Sequence, residues 1–415
     1  MAESITPRMI DLDPATVPVA DIDVSQRELW AENKKWAFFE RLRNEAPVHF
    51  CPESESGPYW SLTRYEHIME VENNWAVFSS DPAIVIDDPE EDFTLPMFIA
   101  MDPPKHDDQR KTVQGVVAPS NLKALEGTIR SRVQTILDGL PVGEPFDWVD
   151  RVSIELTTQM LATLFDFPFE DRRKLTRWSD VATGSPETGV VESEEQRREE
   201  LFECLEYFTR LWHERAENGQ AGNDLVSMLA RGEATKDMEP MEYLGNLVLL
   251  IVGGNDTTRN SITGGVLALN ENPGEYAKLR NNPAIIPNMV SEIIRWVTPL
   301  AHMRRTANED YELGGQQIKA GDKVVMWYAS GNRDERAIEN PNEFIIDRKR
   351  ARQHLSFGFG VHRCMGNRLA EMQLRILWEE IQKRFHFIEV LEEPTRVPSN
   401  FVHGFLEMRV KLHPI

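Results

Sequence analysis

The chain has 415 residues, 41% hydrophobic and 27% charged, a balance that suits a globular protein and excludes a disordered one. Its net charge of −22 argues against general nucleic-acid binding and favours solubility. Three cysteines, Cys51, Cys204 and Cys364, are too few and too scattered for a disulfide framework, which points to a reducing cytoplasmic compartment.

Residues 1–25 are rich in acidic residues and prolines and have no apolar leader core, so an extended N-terminal arm is expected rather than a signal peptide or membrane anchor. Apolar periodicity predicts helices over 30–45, 119–138, 151–165, 193–218, 241–270, 283–297 and 367–384. Strand-like stretches fall at 49–50, 59–62, 311–313, 323–327, 385–390 and 407–413. The apolar run 247–252 is far short of the ~20 residues that span a bilayer. No repeat and no Gly/Ser- or Pro-rich linker divides the chain, so residues 1–415 are read as a single, mainly α domain with small accessory sheets.

The segment 241–270 would make a helix roughly 45 Å long. In its middle stand Gly253-Gly254-Asn255-Asp256-Thr257-Thr258. Each glycine costs such a helix about 1 kcal/mol relative to alanine, which something flat lying against the backbone would offset. Thr257 can bond a carbonyl one turn earlier and open the helix. Asp256 supplies an acid able to exchange protons with solvent. A glycine-kinked helix with an internal polar pair is an equal reading of these residues alone.

Glu292 and Arg295 share one helix face at i, i+3. The same spacing at Glu40/Arg43, Glu170/Arg173, Glu194/Arg197 and Glu393/Arg396 reads as solvated surface pairs. The Glu292 copy differs in lying before Pro299, Arg305 and the glycine-rich loop.

That loop, Phe357-Gly358-Phe359-Gly360-Val361-His362-Arg363-Cys364-Met365-Gly366, presents one thiol on a tight backbone. Gly358, Gly360 and Gly366 can adopt positive φ or admit close backbone approach. Cys364 would sit just before a helix N-terminus, whose partial positive charge favours a thiolate. A lone thiolate so held suits one soft metal position, the axial site of a haem iron. A buried structural cysteine is the commoner fate of a free thiol, but it leaves the glycines and His362 unexplained. A zinc site is the weakest reading, because no second ligand pair has suitable spacing.

The pattern Phe-Gly-x-Gly-x-His-x-Cys-x-Gly at 357–366 resembles the haem-binding loop of the cytochrome P-450 monooxygenases. The resemblance implies that family's mainly α fold, a helical bundle around haem with small β-sheets, with haem b held by the Cys364 thiolate and bordered by Phe357, Gly366 and Gly253. The 253–258 run resembles the family's oxygen-activation motif, in which Asp256 and Thr257 would deliver protons. Glu292 and Arg295 resemble its buried structural pair, with Arg348 as third member. His106, Arg110, Arg305 and His362 stand where the family's propionate partners stand. Arg305 is preferred to Arg304 for its distance to Asp310-Tyr311-Glu312.

The basic run 348–352 precedes the cysteine loop. It is either a solvated face or a docking patch for an acidic [2Fe–2S] ferredoxin served by an NAD(P)H-dependent reductase. Leu95, Met97 and Phe98, then Leu250, Val297 and Leu300, then Phe401 and Val402 fall where the family lines its substrate cavity, which implies a small apolar substrate. Residues 101–106, 116–119 and 253–261 are similar to the bacterial terminal alkane and fatty-acid hydroxylases. This closer likeness implies hydroxylation of medium-chain n-alkanes or fatty acids at the terminal carbon. Sterol or terpenoid oxidation, or a non-catalytic haem-thiolate sensor, are the alternatives. Arg177, Arg197 and Arg198 flank an expected lid at 178–195, where a substrate carboxylate could be held.

Overall fold

The computed structural model describes residues 8–217 and 222–415. Of the expected N-terminal arm, residues 1–7 lie outside that description. The remainder is only partly extended: it turns at Met9–Asp11 and Val19–Asp21 and buries Met9, Ile22 and Val24 against Trp30, Phe38 and Trp327. The apolar residues among its acids are what fix it to the body.

The elements that frame the site run in chain order as β1 (Val48–Cys51), β2 (Tyr59–Leu62), α1 (Tyr65–Asn73), β3 (Phe78–Ser79), α2 (Lys105–Gln114), α3 (Glu155–Phe165), α4 (Arg173–Thr183), α5 (Glu194–Glu217), α6 (Pro240–Glu271), α7 (Ile286–Val297), β4 (His302–Ala307), β5 (Lys323–Trp327) and α8 (Asn367–Ile381). The long helix Pro119–Asp138 packs on α8 and α3. Helix α6 is the axis of the main core, with α3, α4 and α7 packed around it. Its buried Leu244, Leu247, Ile262, Val266 and Leu269 supply the apolar surface that holds them.

The five-stranded sheet has the order β1-β2-β5-β4-β3. The β2–β5 pair is parallel, with Trp60 opposite Val324, and its other pairs are antiparallel. A second sheet joins Phe385–Val390 and Phe146–Asp147 to Arg409–Pro414, close to the strands expected at 385–390 and 407–413.

The helix expected over 30–45 is two helices, Arg27–Ala31 and Trp36–Glu45. Asn33 interrupts them in the left-handed region (φ 55°), where its side-chain oxygen accepts from Lys35 Nζ and Trp36 Nε1. The helix expected from 151 begins as a wider π turn at Val149–Ile154. Strand β4 escapes sequence reading because Arg304 and Arg305 stand in its middle, and both are buried.

Candidate active site

The loop 357–366 folds back on itself, and the Cys364 N–H donates to the Phe357 carbonyl at 2.7 Å. Gly358 and Gly360 have φ of +61° and +63°, and a Cβ on Gly360 would stand 2.3 Å from the Glu72 carbonyl oxygen at the end of α1. Gly366 is different. Its φ is −83°, and a Cβ there would meet nothing within 4 Å, so its lack of a side chain keeps the cavity wall flat.

Cys364 alone of the three cysteines faces a cavity of about 950 Å³. Its thiol receives the Gly366 and Asn367 N–H groups at the start of α8, beside Arg110 and Arg363. The helix end does lower the thiol's pKa, but burial outweighs it and pushes the group up overall. The charge of a bound metal ion is what converts such a thiol to thiolate.

Four nitrogen-bearing groups gather at one end of the site, His106, Arg110 and Arg305 lying around His362. The His106 and His362 rings lie 4.3 Å apart, centroid to centroid. His362 Nε2 is 2.8 Å from Ser80 Oγ and His106 Nδ1 is 2.7 Å from Asp107 Oδ1. The remaining nitrogens, His362 Nδ1 and His106 Nε2, are buried without a partner. Arg110, Arg305 and His362 line the cavity, whereas His106, packed against His362, is not on its wall. Arg305 also pairs with Glu72 at 3.1 Å, and the Tyr328 hydroxyl donates to the same carboxylate. Arg304 points the other way, to the Asp88 carboxylate and the Ile86 and Asp87 carbonyls. Two guanidinium groups and two orphan imidazole nitrogens around a single thiol fit the two carboxylates and one iron of haem.

Helix α6 forms the opposite wall. Gly253 borders open cavity space, since a Cβ would meet nothing within 4 Å there. Gly254 also borders the cavity, but there its Cβ would come within 2.7 Å of Leu161 Cδ2 on α3, so the two glycines do different work. Thr257 Oγ1 donates to the Gly253 carbonyl at 3.1 Å and lines the cavity. Asp256 was expected to exchange protons with solvent, but it is fully buried. Ser179 Oγ donates to it at 3.1 Å and Asn255 Nδ2 at 3.1 Å, and Arg259 pairs with it at 3.1 Å. Burial holds its carboxyl above the ordinary range even though Arg259 and the hydroxyls of Ser179 and Thr183 pull it back.

Leu95, Met97, Phe98, Leu250, Leu300, Phe401 and Val402 all line the cavity. Val297 does not: it faces α6, where its Cγ2 lies 2.5 Å from the position a Gly264 Cβ would take. Glu292 and Arg295 are fully buried, 2.7 Å apart, and Arg348 joins them at 3.0 Å. Arg348 therefore leaves the basic run, whose exposed members are Lys349, Arg350 and Arg352. Arg177 pairs with Glu200 and the Val190 carbonyl and is not on the cavity wall, whereas Arg197 is. Glu72, Ser80 and Asp180 carry no motif and sequence reading missed them, while Arg259 falls in the 253–261 run but was given no role there.

The profile of the cytochrome P450 family matches residues 142–411. This chain is a cytochrome P450. The family binds haem b through a cysteine thiolate, and Cys364 is the cysteine at the cavity. The P450 is 34% identical over 404 residues to linalool 8-monooxygenase of Pseudomonas putida, covering 94% of this chain and 99% of that one. It is 31% identical to the methyl-branched lipid omega-hydroxylase of Mycobacterium tuberculosis, covering 98% of each chain. The solved structure of cytochrome P450-153 from Novosphingobium aromaticivorans shares the fold with a TM-score of 0.88 and 48% identity, over 94% of this chain and 99% of that one. Like these relatives, the P450 is a monooxygenase. Among the described residues no helix is long and apolar enough to cross a membrane, and no group of three or more His, Cys, Asp or Glu could hold a metal ion.

Proposed function

We propose that this P450 hydroxylates medium-chain aliphatic substrates, n-alkanes or fatty acids, at the terminal carbon. The observation that carries the reading is the cavity shared with Cys364, which Leu95, Met97, Phe98, Leu250, Leu300 and Phe401 line from four separate segments. Such a wall binds a chain by apolar contact and constrains which carbon reaches the reacting centre. Methyl C–H bonds are stronger than methylene ones, so terminal attack requires that constraint. Similarity to an omega-hydroxylase over nearly the whole chain supports the same regiochemistry.

In this reading Cys364 is the iron ligand, Phe357, Gly366 and Gly253 border the ring, and His106, Arg110, Arg305 and His362 hold its propionates. When bound, haem supplies the oxidation: O₂, two electrons and two protons become one substrate hydroxyl and one water. The protein's part is to move protons and exclude water. Asp256 takes up a proton from the solvent side and Thr257, facing the cavity, passes it on. Electrons arrive from a [2Fe–2S] ferredoxin and an NAD(P)H-dependent reductase in the cytoplasm, guided by the exposed Lys349, Arg350 and Arg352.

The test is a product profile with n-alkanes and fatty acids of eight to fourteen carbons under a surrogate ferredoxin system. Terminal alcohols should dominate, and predominantly in-chain alcohols would overturn the regiochemistry. Terpenoid oxidation is the second reading, favoured by the similarity to linalool 8-monooxygenase. It wins if linalool binds and turns over while unbranched chains do not.

A further inference from the structure

One surface stretch of the cavity lining is acidic: Asp87, Asp88, Glu90 and Glu194 are 52%, 66%, 36% and 46% exposed. At this rim the segment before Leu95 faces the start of α5. Glu90 Oε1 lies 3.2 Å from Arg197 Nη1, and its other oxygen accepts from Arg198 Nη2. Arg197 also meets Glu194 at 3.4 Å, while Arg198 is held by both oxygens of Asp92, at 2.8 and 2.9 Å. Arg27, another lining cation, has Asp87 at 3.7 Å and Ser185 Oγ at 3.4 Å. Along this stretch the lining carries Asp87, Asp88, Glu90 and Glu194 with Arg27 and Arg197, and Asp88 is itself paired with Arg304 and Lys323.

A fatty acid whose methyl end approaches Cys364 has to leave its carboxylate near this rim. There the rim's own acids already hold its arginines, and Arg197 is shared between two carboxylates. Fork geometry makes arginine the natural partner of a substrate carboxylate, yet here the protein's own acids occupy it. We infer that Glu90 is a specificity-determining residue: by holding Arg197 and Arg198 it makes the rim select chains with an uncharged far end over fatty acids. The inference rests on the aliphatic reading of the cavity and answers which member of that class is taken. Glu90 acts at the rim and touches no reacting atom.

The haem-bound protein is titrated with 1-decanol and with decanoate, following the Soret shift at pH 8 in low salt. Decanol should bind at least about fivefold more tightly, the factor that one unit charge at 4 Å in water supplies, and added salt should narrow the gap. In Glu90→Gln the decanoate-to-decanol ratio of dissociation constants should fall by about the same factor, because one repelling charge is lost and Arg197 and Arg198 each keep one acidic partner fewer. Decanoate binding as tightly as decanol in the parent protein would overturn the inference. So would Glu90→Gln weakening or tightening both ligands equally, which would mark a mere lid fastening. If neither ligand shifts the Soret band while linalool does, it is the aliphatic reading that fails.

Discussion

The Asp256 carboxylate lies 3.1 Å from the guanidinium of Arg259, one turn further along α6. The same Arg259 nitrogen is 2.7 Å from Asp180 on α4, whose carboxylate is 32% exposed. A fully buried acid is thereby joined to a partly exposed one through a single cation. A charge in low dielectric needs such a partner, and an acid whose pKa is raised by burial is suited to taking up protons.

Removing that cation should act on the acid without touching the substrate. In Arg259→Leu the Asp256 carboxyl keeps its burial and loses its attraction, so its pKa rises further. The alkaline limb of the turnover profile, where the delivered proton is lost, should therefore move to higher pH, with apolar-substrate binding altered less than twofold. Asp256→Asn should lower turnover by about 10²–10⁴ with haem content retained. A pH–rate profile of O₂ uptake and product formation checks both. An unmoved alkaline limb in Arg259→Leu would show that the pair is only structural.

His106 and His362 each leave one buried ring nitrogen without a protein partner. A hydrogen bond from such a group to a charged oxygen contributes about 1.5–3 kcal/mol, so His106→Phe and His362→Phe should each weaken haem retention by about 10- to 150-fold. Haem transfer to apomyoglobin measures this directly. Arg304→Leu, whose guanidinium serves Asp88 and not the cavity, should leave the transfer rate unchanged.

What the sequence made legible was local, and what it hid was contact between distant elements. The cysteine loop was readable because all its parts lie within ten residues, and two of its glycines do occupy the left-handed region. Arg304 and Arg305 were harder to separate because β4 itself went unread. On a strand, neighbours point to opposite faces, and so only Arg305 reaches the cavity. Val297 failed as a lining residue because family position gives a place along α7 and not the face it presents. The Glu72–Arg305, Arg259–Asp180 and Glu90–Arg197 pairs each join elements far apart in the chain, and no spacing rule anticipates them.

Acid should destabilise the fold through buried histidines that no step of the mechanism uses. Burial pushes His302 down to about 4 and His354 to about 3. His403, placed 3.2 Å from Lys35 Nζ, is also pushed well below the ordinary value. These rings stay neutral when folded but take up protons near pH 6.5 once unfolded. Their contribution is therefore complete above that value and is lost as pH falls toward the folded pKa values. Each group loses about 1.4 kcal/mol per pH unit below 6.5, so the three together should lower unfolding free energy by about 4 kcal/mol between pH 7.5 and 5.5. Urea titrations at the two pH values check this, and equal or greater stability at pH 5.5 would refute it.

The contact between Gly264 and Val297 separates packing from substrate selection. A Cβ on Gly264 would lie 2.5 Å from Val297 Cγ2 and 3.3 Å from Phe405 Cε2, so Gly264→Ala overfills the α6–α7 interface. The expected cost is about 1–3 kcal/mol. Val297→Ala opens the same space from the other side and should also destabilise, by a transfer and cavity cost. Combined, the new methyl enters the volume the valine left, so the double variant should be more stable than the sum of the single effects by about 0.5–3 kcal/mol. Because Val297 is off the cavity wall, Val297→Ala should leave the decanol dissociation constant within about twofold of the parent value, the size of a tenths-of-a-kcal coupling between sites that share no partner. Leu300→Ala, on the wall, should weaken decanol by about tenfold, as expected for lost apolar contact of one to two kcal/mol. Urea unfolding of the four proteins and Soret titration of the two alanine variants measure both halves. A shift in decanol binding in Val297→Ala that matched the Leu300→Ala shift would return Val297 to the substrate wall.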